Sequence, residues 1–183
     1  YPAEGLLEFQ QPLAGKALTV TLTISDYLFR LINAGDNFSP NPSISFMLNF
    51  DPLLFDGDET LARASLDRIW ERLADGGKQM MPLAEYPFSA HYGWVEDRYG
   101  VSWQLILTDP AGDTRPFIMP ALMFDGVSQD QAAEAADNYT SLFASVMESD
   151  GGTTVGKRQP YGAPAGLAGP QALAFGEFRL GEQ

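Results

Sequence analysis

At 183 residues and 45% hydrophobic content, the chain can bury a core as one domain or two small ones. Its formal net charge of −13 repels a phosphate backbone and an anionic bilayer surface, so neither nucleic acid nor membrane is expected as a partner. Cysteine is absent, which excludes disulfides, thiolate nucleophiles and zinc–sulfur sites; no apolar run nears the roughly 20 residues of a bilayer span, and a cytoplasmic location is expected by default.

The first 16 residues are mixed, with a short strand suggested by Leu6, Leu7 and Phe9 and connection at 10–15. Leu18, Val20, Leu22 and Ile24 then alternate with threonines, the period of a strand with one face in a core. Ser25-Asp26 turns the chain into a returning strand at 27–32, a hairpin, before a loop at 33–37. A third strand covers 43–50 and places Ile44, Phe46 and Leu48 on one face. A helix over 58–74 follows, with Leu66, Ile69, Trp70 and Leu73 at helical spacing, Asp58 or Thr60 as its cap and Gly76-Gly77 as its stop.

Met80 and Met81 suggest a short strand, and the prolines around 83–90 suggest a loop that contains His91 at its end. Residues 92–96 are extended, 97–100 turn, and 101–107 form a strand with Trp103, Leu105 and Leu107 on one face and Ser102, Gln104 and Ile106 on the other. A linker covers 109–116. A strand at 117–124 and a helix to Met147 follow, with Ser128 and Gln131 spaced as a capping box and Ala132, Ala136, Tyr139 and Phe143 as an apolar stripe. A loop at 149–153, a short strand at 154–158, a Pro/Gly/Ala loop near 160–170 and a strand at 173–180 complete the chain.

Two internal similarities stand out. The strand–turn–helix plan at 43–74 recurs at 117–147, and Leu22 and Ile24 match Phe178 and Leu180 when the two strands are aligned. The chain therefore reads as a window across a tandem array. Its strand–helix units cannot bury their apolar faces alone and need partner strands from elsewhere.

The run EYPFSAHYGWVEDRYGVSWQL at 85–105 resembles the PhnB-like branch of the glyoxalase/bleomycin resistance/dioxygenase (vicinal oxygen chelate) superfamily. Asn33-Ala-Gly, Pro42-Ser-Ile-Ser-Phe and Pro120-Ala-Leu-Met-Phe-Asp-Gly extend the similarity across 17–183. The resemblance implies an α+β fold of paired βαβββ modules. They would form a curved, mostly antiparallel, cup-shaped sheet with helices outside. It divides the chain into 1–109, the last hairpin of one module plus a complete second module, and 110–183, the opening module of the next glyoxalase-like domain without its last strand.

Metal-dependent members carry a His on the first strand of the second module and a Glu on its last. This chain holds Ser43 and Gln104 there, and Pro120 at the corresponding place of the C-terminal module, a poor donor set for a transition metal. No cofactor or metal is therefore expected, unless ligands come from missing sequence or another chain. Nothing matches a glycine-rich cofactor-binding loop, and Gly76-Gly77-Lys78 lacks the spacing of a phosphate loop.

The candidate ligand pocket is Ser43, Trp94, Gln104 and Asn33, with Gln104 orienting a polar group and Trp94 as an aromatic wall. Satisfied neighbours for Gln104, an Asx turn for Asn33 and plain core packing for Trp103 are the competing structural roles. His91, the single imidazole, and Glu85 are candidate catalytic groups; an exposed loop histidine and a rim carboxylate are the alternatives. The expected function is metal-independent binding or sequestration of a small, partly apolar molecule. A metal-dependent lyase, isomerase or dioxygenase and a structural module with a vestigial pocket stand beside it. A homodimer, with modules exchanged between copies, is the expected assembly.

Overall fold

A computed structural model describes residues 1–33, 38–112, 115–147 and 152–181. The loops expected at 33–37 and 149–153, the linker at 109–116 and the Gly-Glu-Gln end at 181–183 therefore lie partly outside the described residues. The chain divides into two compact units, Tyr1–Ala121 and Leu122–Gln183.

The first unit contains a complete βαβββ module. Strand β3 (Ile44–Phe50) runs through a 3-10 turn, Pro52–Phe55, into helix α1 (Glu59–Ala74), then β4 (Lys78–Tyr86), β5 (Ser89–Glu96) and β6 (Ser102–Leu107). Asp58 caps α1, its side chain accepting from the Leu61 N–H. At the other end Gly76 adopts φ +72°, a conformation open to glycine and costly for a side chain. The strands stand in the order β4-β5-β6-β3, with a further edge strand β7 (Ile118–Leu122) beyond β3. β3 and β6 are parallel; β4, β5 and β6 are antiparallel neighbours. This is the α+β arrangement expected from the resemblance.

Side-chain alternation splits the sheet cleanly. Phe46, Leu48 and Phe50, Trp103, Leu105 and Leu107, and His91, Gly93 and Val95 share one face. Helix α1 covers that face, burying Ala62, Leu66 and Trp70 with Leu48, Phe50, Val95 and Leu105. Trp70 lies so close to the Gly93 backbone that glycine is the residue with room there. The opposite face carries Ser45, Met47 and Asn49, Ser102, Gln104 and Ile106, and Tyr92 and Trp94.

The loop expected at 83–90 is a hairpin instead, the end of β4 and the start of β5 joined by a turn at Pro87-Phe88. β4 runs to Tyr86 through Pro82, with three register shifts against β5. Because β4 is an edge strand, a missing N–H at Pro82 can face away from the ladder, so proline does not end it. The short strand expected from Leu6 to Phe9 is also absent, and Glu8–Leu13 forms an exposed 3-10 turn.

The hairpin β1 (Thr19–Ile24) and β2 (Tyr27–Ile32) forms as expected, in a two-residue turn with Ser25 at φ +56°. It is a separate two-stranded sheet, not part of the larger one. Its burial differs from expectation: Ile24, Tyr27 and Phe29 pack on the core, while Leu18, Val20 and Leu22 are exposed. The alternation marks a face fit for burial, and the described residues cover only its end.

The strand–turn–helix plan recurs along the chain after β6. β7, the edge strand of the five-stranded sheet, is followed by a 3-10 turn, Gly126–Ser128, and by α2 (Ala132–Met147), the same 16-residue length as α1. Ser128 lies inside that 3-10 turn, so the capping box is displaced from the helix start. α2 packs on the hairpin of β8 (Thr153–Pro160) and β9 (Leu173–Leu180), with Tyr139 on Phe178 at 5.9 Å and Arg158 paired to Asp137. Leu22 and Phe178, aligned by the internal similarity, both fall in hairpin strands; β1 pairs with the strand after it and β9 with the strand before it. Among the described residues, no helix is long and apolar enough to cross a membrane.

Candidate functional site

The sheet face turned away from α1 holds a chain of buried polar side chains. The Tyr92 hydroxyl donates to Gln104 Oε1 at 2.7 Å, and Gln104 Nε2 donates to Ser45 Oγ at 2.7 Å. The register brings them together: β5 sets Tyr92 and Trp94 on this face, and parallel pairing sets Ser45 beside Ser102, two residues before Gln104. Trp94 Nε1 donates to Ser102 Oγ at 2.7 Å on the same face.

Burial, with a smaller contribution from the neighbouring Tyr86 phenol, pushes the Tyr92 phenol far above its ordinary value, so it keeps its hydrogen. The Gln104 amide lies with its oxygen toward Tyr92 and its nitrogen toward Ser45. Ser45 Oγ then accepts, which leaves its own hydrogen to give away. Tyr86 and Phe88 pack edgewise on the Tyr92 ring at 5.6 and 5.0 Å and keep water from it.

The four proposed pocket residues are not all brought together. Gln104 and Trp94 share the face and adjacent strands. Ser43 precedes β3, is exposed, and donates its backbone N–H to Asn41 Oδ1; Gln104 reaches Ser45 rather than Ser43. Ser43 lines an open cleft of about 360 Å³ at the starts of β3 and β6, with Pro40, Ile44, Val101 and Ser102 among its walls. Asn33 is exposed at the end of β2, where its N–H donates to Leu18 O and its carbonyl accepts from the Tyr1 hydroxyl.

His91 is a buried residue of β5, not the loop residue expected from the sequence, and it faces α1 rather than the polar face. Its Nε2 lies 2.6 Å from Asp67 Oδ1 and its Nδ1 3.1 Å from an Arg63 nitrogen. Arg63 can only donate, so Nδ1 accepts and Nε2–H donates to Asp67. Both ring nitrogens are thus engaged within the protein, joining α1 to β5. Glu85 is an exposed residue of the edge strand β4. Asp97 closes the β5–β6 turn, accepting from the Tyr99 and Val101 N–H groups and from Trp103 Nε1, which ties Trp103 to the core side of the sheet.

A divalent metal does not fit the polar face. Its donors are a protonated phenol, an amide engaged at both ends and hydroxyls, all neutral and weak ligands for a transition metal. Among the described residues, no group of three His, Asp or Glu converges on one point.

A family model described as 3-demethylubiquinone-9 3-methyltransferase matches residues 6–106, just over half of the chain. The chain belongs to this family. The matched span contains the 85–105 motif, the polar face and nearly all of the βαβββ module, which is the unit the PhnB-like resemblance implied.

Among solved structures, the chain is similar to a putative 3-demethylubiquinone-9 3-methyltransferase, PhnB protein, from Bacillus cereus, at 32% identity over 50% of this chain and 64% of that one, with a TM-score of 0.43. It is also similar to protein PA1353 from Pseudomonas aeruginosa, at 24% identity over 49% and 62% of the two chains and a TM-score of 0.39. A protein from Staphylococcus aureus matches at 23% identity over 52% and 66%, with a TM-score of 0.28. The chain thus spans 64% of the length of the Bacillus cereus protein. No curated protein matches.

Sequence reading missed Ser45 and the Tyr92 hydroxyl. A signal for both existed: Ser45, Gln104 and Tyr92 are the polar-tipped residues on the non-helix parity of their strands. Which of them meet depends on the β3–β6 register, which composition does not encode.

Proposed function

We propose that this chain binds a small, partly apolar molecule, without a metal ion, on the sheet face opposite α1. The observation that carries the reading is the buried Tyr92–Gln104–Ser45 chain, which ends in a hydroxyl hydrogen with no acceptor among the described residues. A buried polar chain is costly unless it specifies something, and this one aims a single donor along a face otherwise lined by Met47, Trp94 and Ile106. The apolar side chains would supply affinity and Ser45 would orient an acceptor on the ligand. Methyl transfer, the activity in the family's description, is a separate question that an assay with a methyl donor answers.

Native mass spectrometry and metal analysis of the purified protein test this reading. The expected result is a bound organic molecule, or binding of a simple alkylphenol, with no stoichiometric metal. Tyr92→Phe is expected to weaken binding and to lower stability by about 1–3 kcal/mol, since it removes the buried hydrogen bond to Gln104 Oε1. Tyr92→Phe with Gln104→Leu should recover none of the binding. A stoichiometric metal, or undiminished binding by the double variant, would count against the proposal.

A further inference from the structure

Resting on the binding reading above, we infer that Asn49 and Thr108 form a second polar subsite, one that takes a hydroxyl group, at the far end of the same sheet face. Asn49 is fully buried and continues the Ser45–Met47 row along β3. Its Nδ2 donates to the Pro116 carbonyl at 2.8 Å, which turns Oδ1 away with no partner. Thr108 follows β6 directly and continues the Gln104–Ile106 row; the residue is 8% exposed and its Oγ1 also has no partner.

The two are diagonal neighbours across the parallel β3–β6 pair. Asn49 stands opposite Ile106, and the Thr108 N–H donates to Phe50 O at 3.3 Å. Native proteins satisfy buried polar atoms nearly always, so two orphans on one face call for a shared partner.

The chemistry of that partner follows from the atoms. Asn49 Oδ1 accepts only, so the ligand must bring a hydrogen. Thr108 still has a hydrogen to give, so the ligand must also bring a lone pair. A hydroxyl meets both demands. A carbonyl has no hydrogen for Asn49, and an ammonium or carboxylate would enter a buried spot as an unpaired charge. Ser45 and Asn49 lie four residues apart, about 13 Å along the strand. Met47 and Ile106 fill the space between. The face therefore reads polar, apolar, polar, and suits an elongated molecule with a hydroxyl at one end and an acceptor at the other.

The test compares 4-propylphenol with propylbenzene by calorimetric titration of the wild-type chain and of Thr108→Val. The valine is isosteric and removes an orphan, so the variant should be folded and at least as stable as its parent. Wild type is expected to prefer the phenol by about tenfold, and Thr108→Val to show no preference while still binding propylbenzene as before. A preference that survives in Thr108→Val, or equal binding of both probes by wild type, overturns the subsite and leaves the binding face standing. Failure of wild type to bind either probe overturns both.

Discussion

Gly93→Ala is expected to destabilise the first unit by about 2–3 kcal/mol through overpacking, read as a lower denaturant midpoint with an unchanged slope. An alanine Cβ at this position would stand 2.5 Å from Trp70 Cζ3 and 2.9 Å from Cε3 and Cη2. No backbone strain is involved, since Gly93 is not among the positive-φ glycines. The three nearest conflicts are all with a ring that is itself buried between α1 and the sheet. Trp70 cannot swing away without opening the core. The cause can be isolated: in a Trp70→Leu background the same alanine should cost much less, a coupling visible in a double-mutant cycle.

Leu66→Ala is expected to cost about 2–5 kcal/mol, the range for deleting a fully buried leucine side chain that leaves a cavity. Leu66 has no exposed surface and sits one helical turn from Trp70, among Leu48, Val95 and Leu105. It therefore helps key α1 to all three central strands. An exposed leucine on the same helix, Leu61, is the control, and Leu61→Ala should change stability by no more than about 0.5 kcal/mol. Equal losses at the two positions would mean that α1 does not pack as described. Because Leu66 and Trp70 share neighbours, Leu66→Ala and Gly93→Ala are not expected to add.

These two positions show what was legible in the sequence. The 3.6-residue spacing of Leu66, Ile69, Trp70 and Leu73 defined α1 and its buried face, and Asp58 marked its start. The alternation in 43–50 and 101–107 assigned each residue of β3 and β6 to the correct side. Both are local signals, carried by near neighbours in the chain. Errors arose where a nonlocal fact decided the outcome. Pro82 suggested a loop, because the edge position of β4 that tolerates it is a property of the sheet. His91 read as a loop residue for the same reason, and its partners Asp67 and Arg63 lie more than 20 residues away on α1.

The arrangement of the candidate residues was legible by halves. Gln104 was singled out because the resemblance places a metal ligand at its position and the strand parity sets it apart from Trp103 and Leu105. Ser43 was read as lining the same pocket, while the serine that Gln104 reaches is Ser45, two residues further along. Trp94 was expected as a wall, and it lies on the Gln104 face with its indole held by Ser102. Asn49 and Thr108 carried no signal at all: an asparagine and a threonine on strands are ordinary, and only the pairing pattern shows that their polar atoms are left over.

The exposed apolar residues of β1, Val20 and Leu22, follow the same logic. Alternation states that a face is built to be covered.

Nuclear magnetic resonance of the side-chain N–H groups, recorded as 4-propylphenol is added, bears most directly on the binding face. Trp94 Nε1 and the Gln104 amide should shift together and saturably, while His91 and the α1 amides beside it should hold still. Shifts gathered around His91, Asp67 and Arg63, with Gln104 unmoved, would contradict the account.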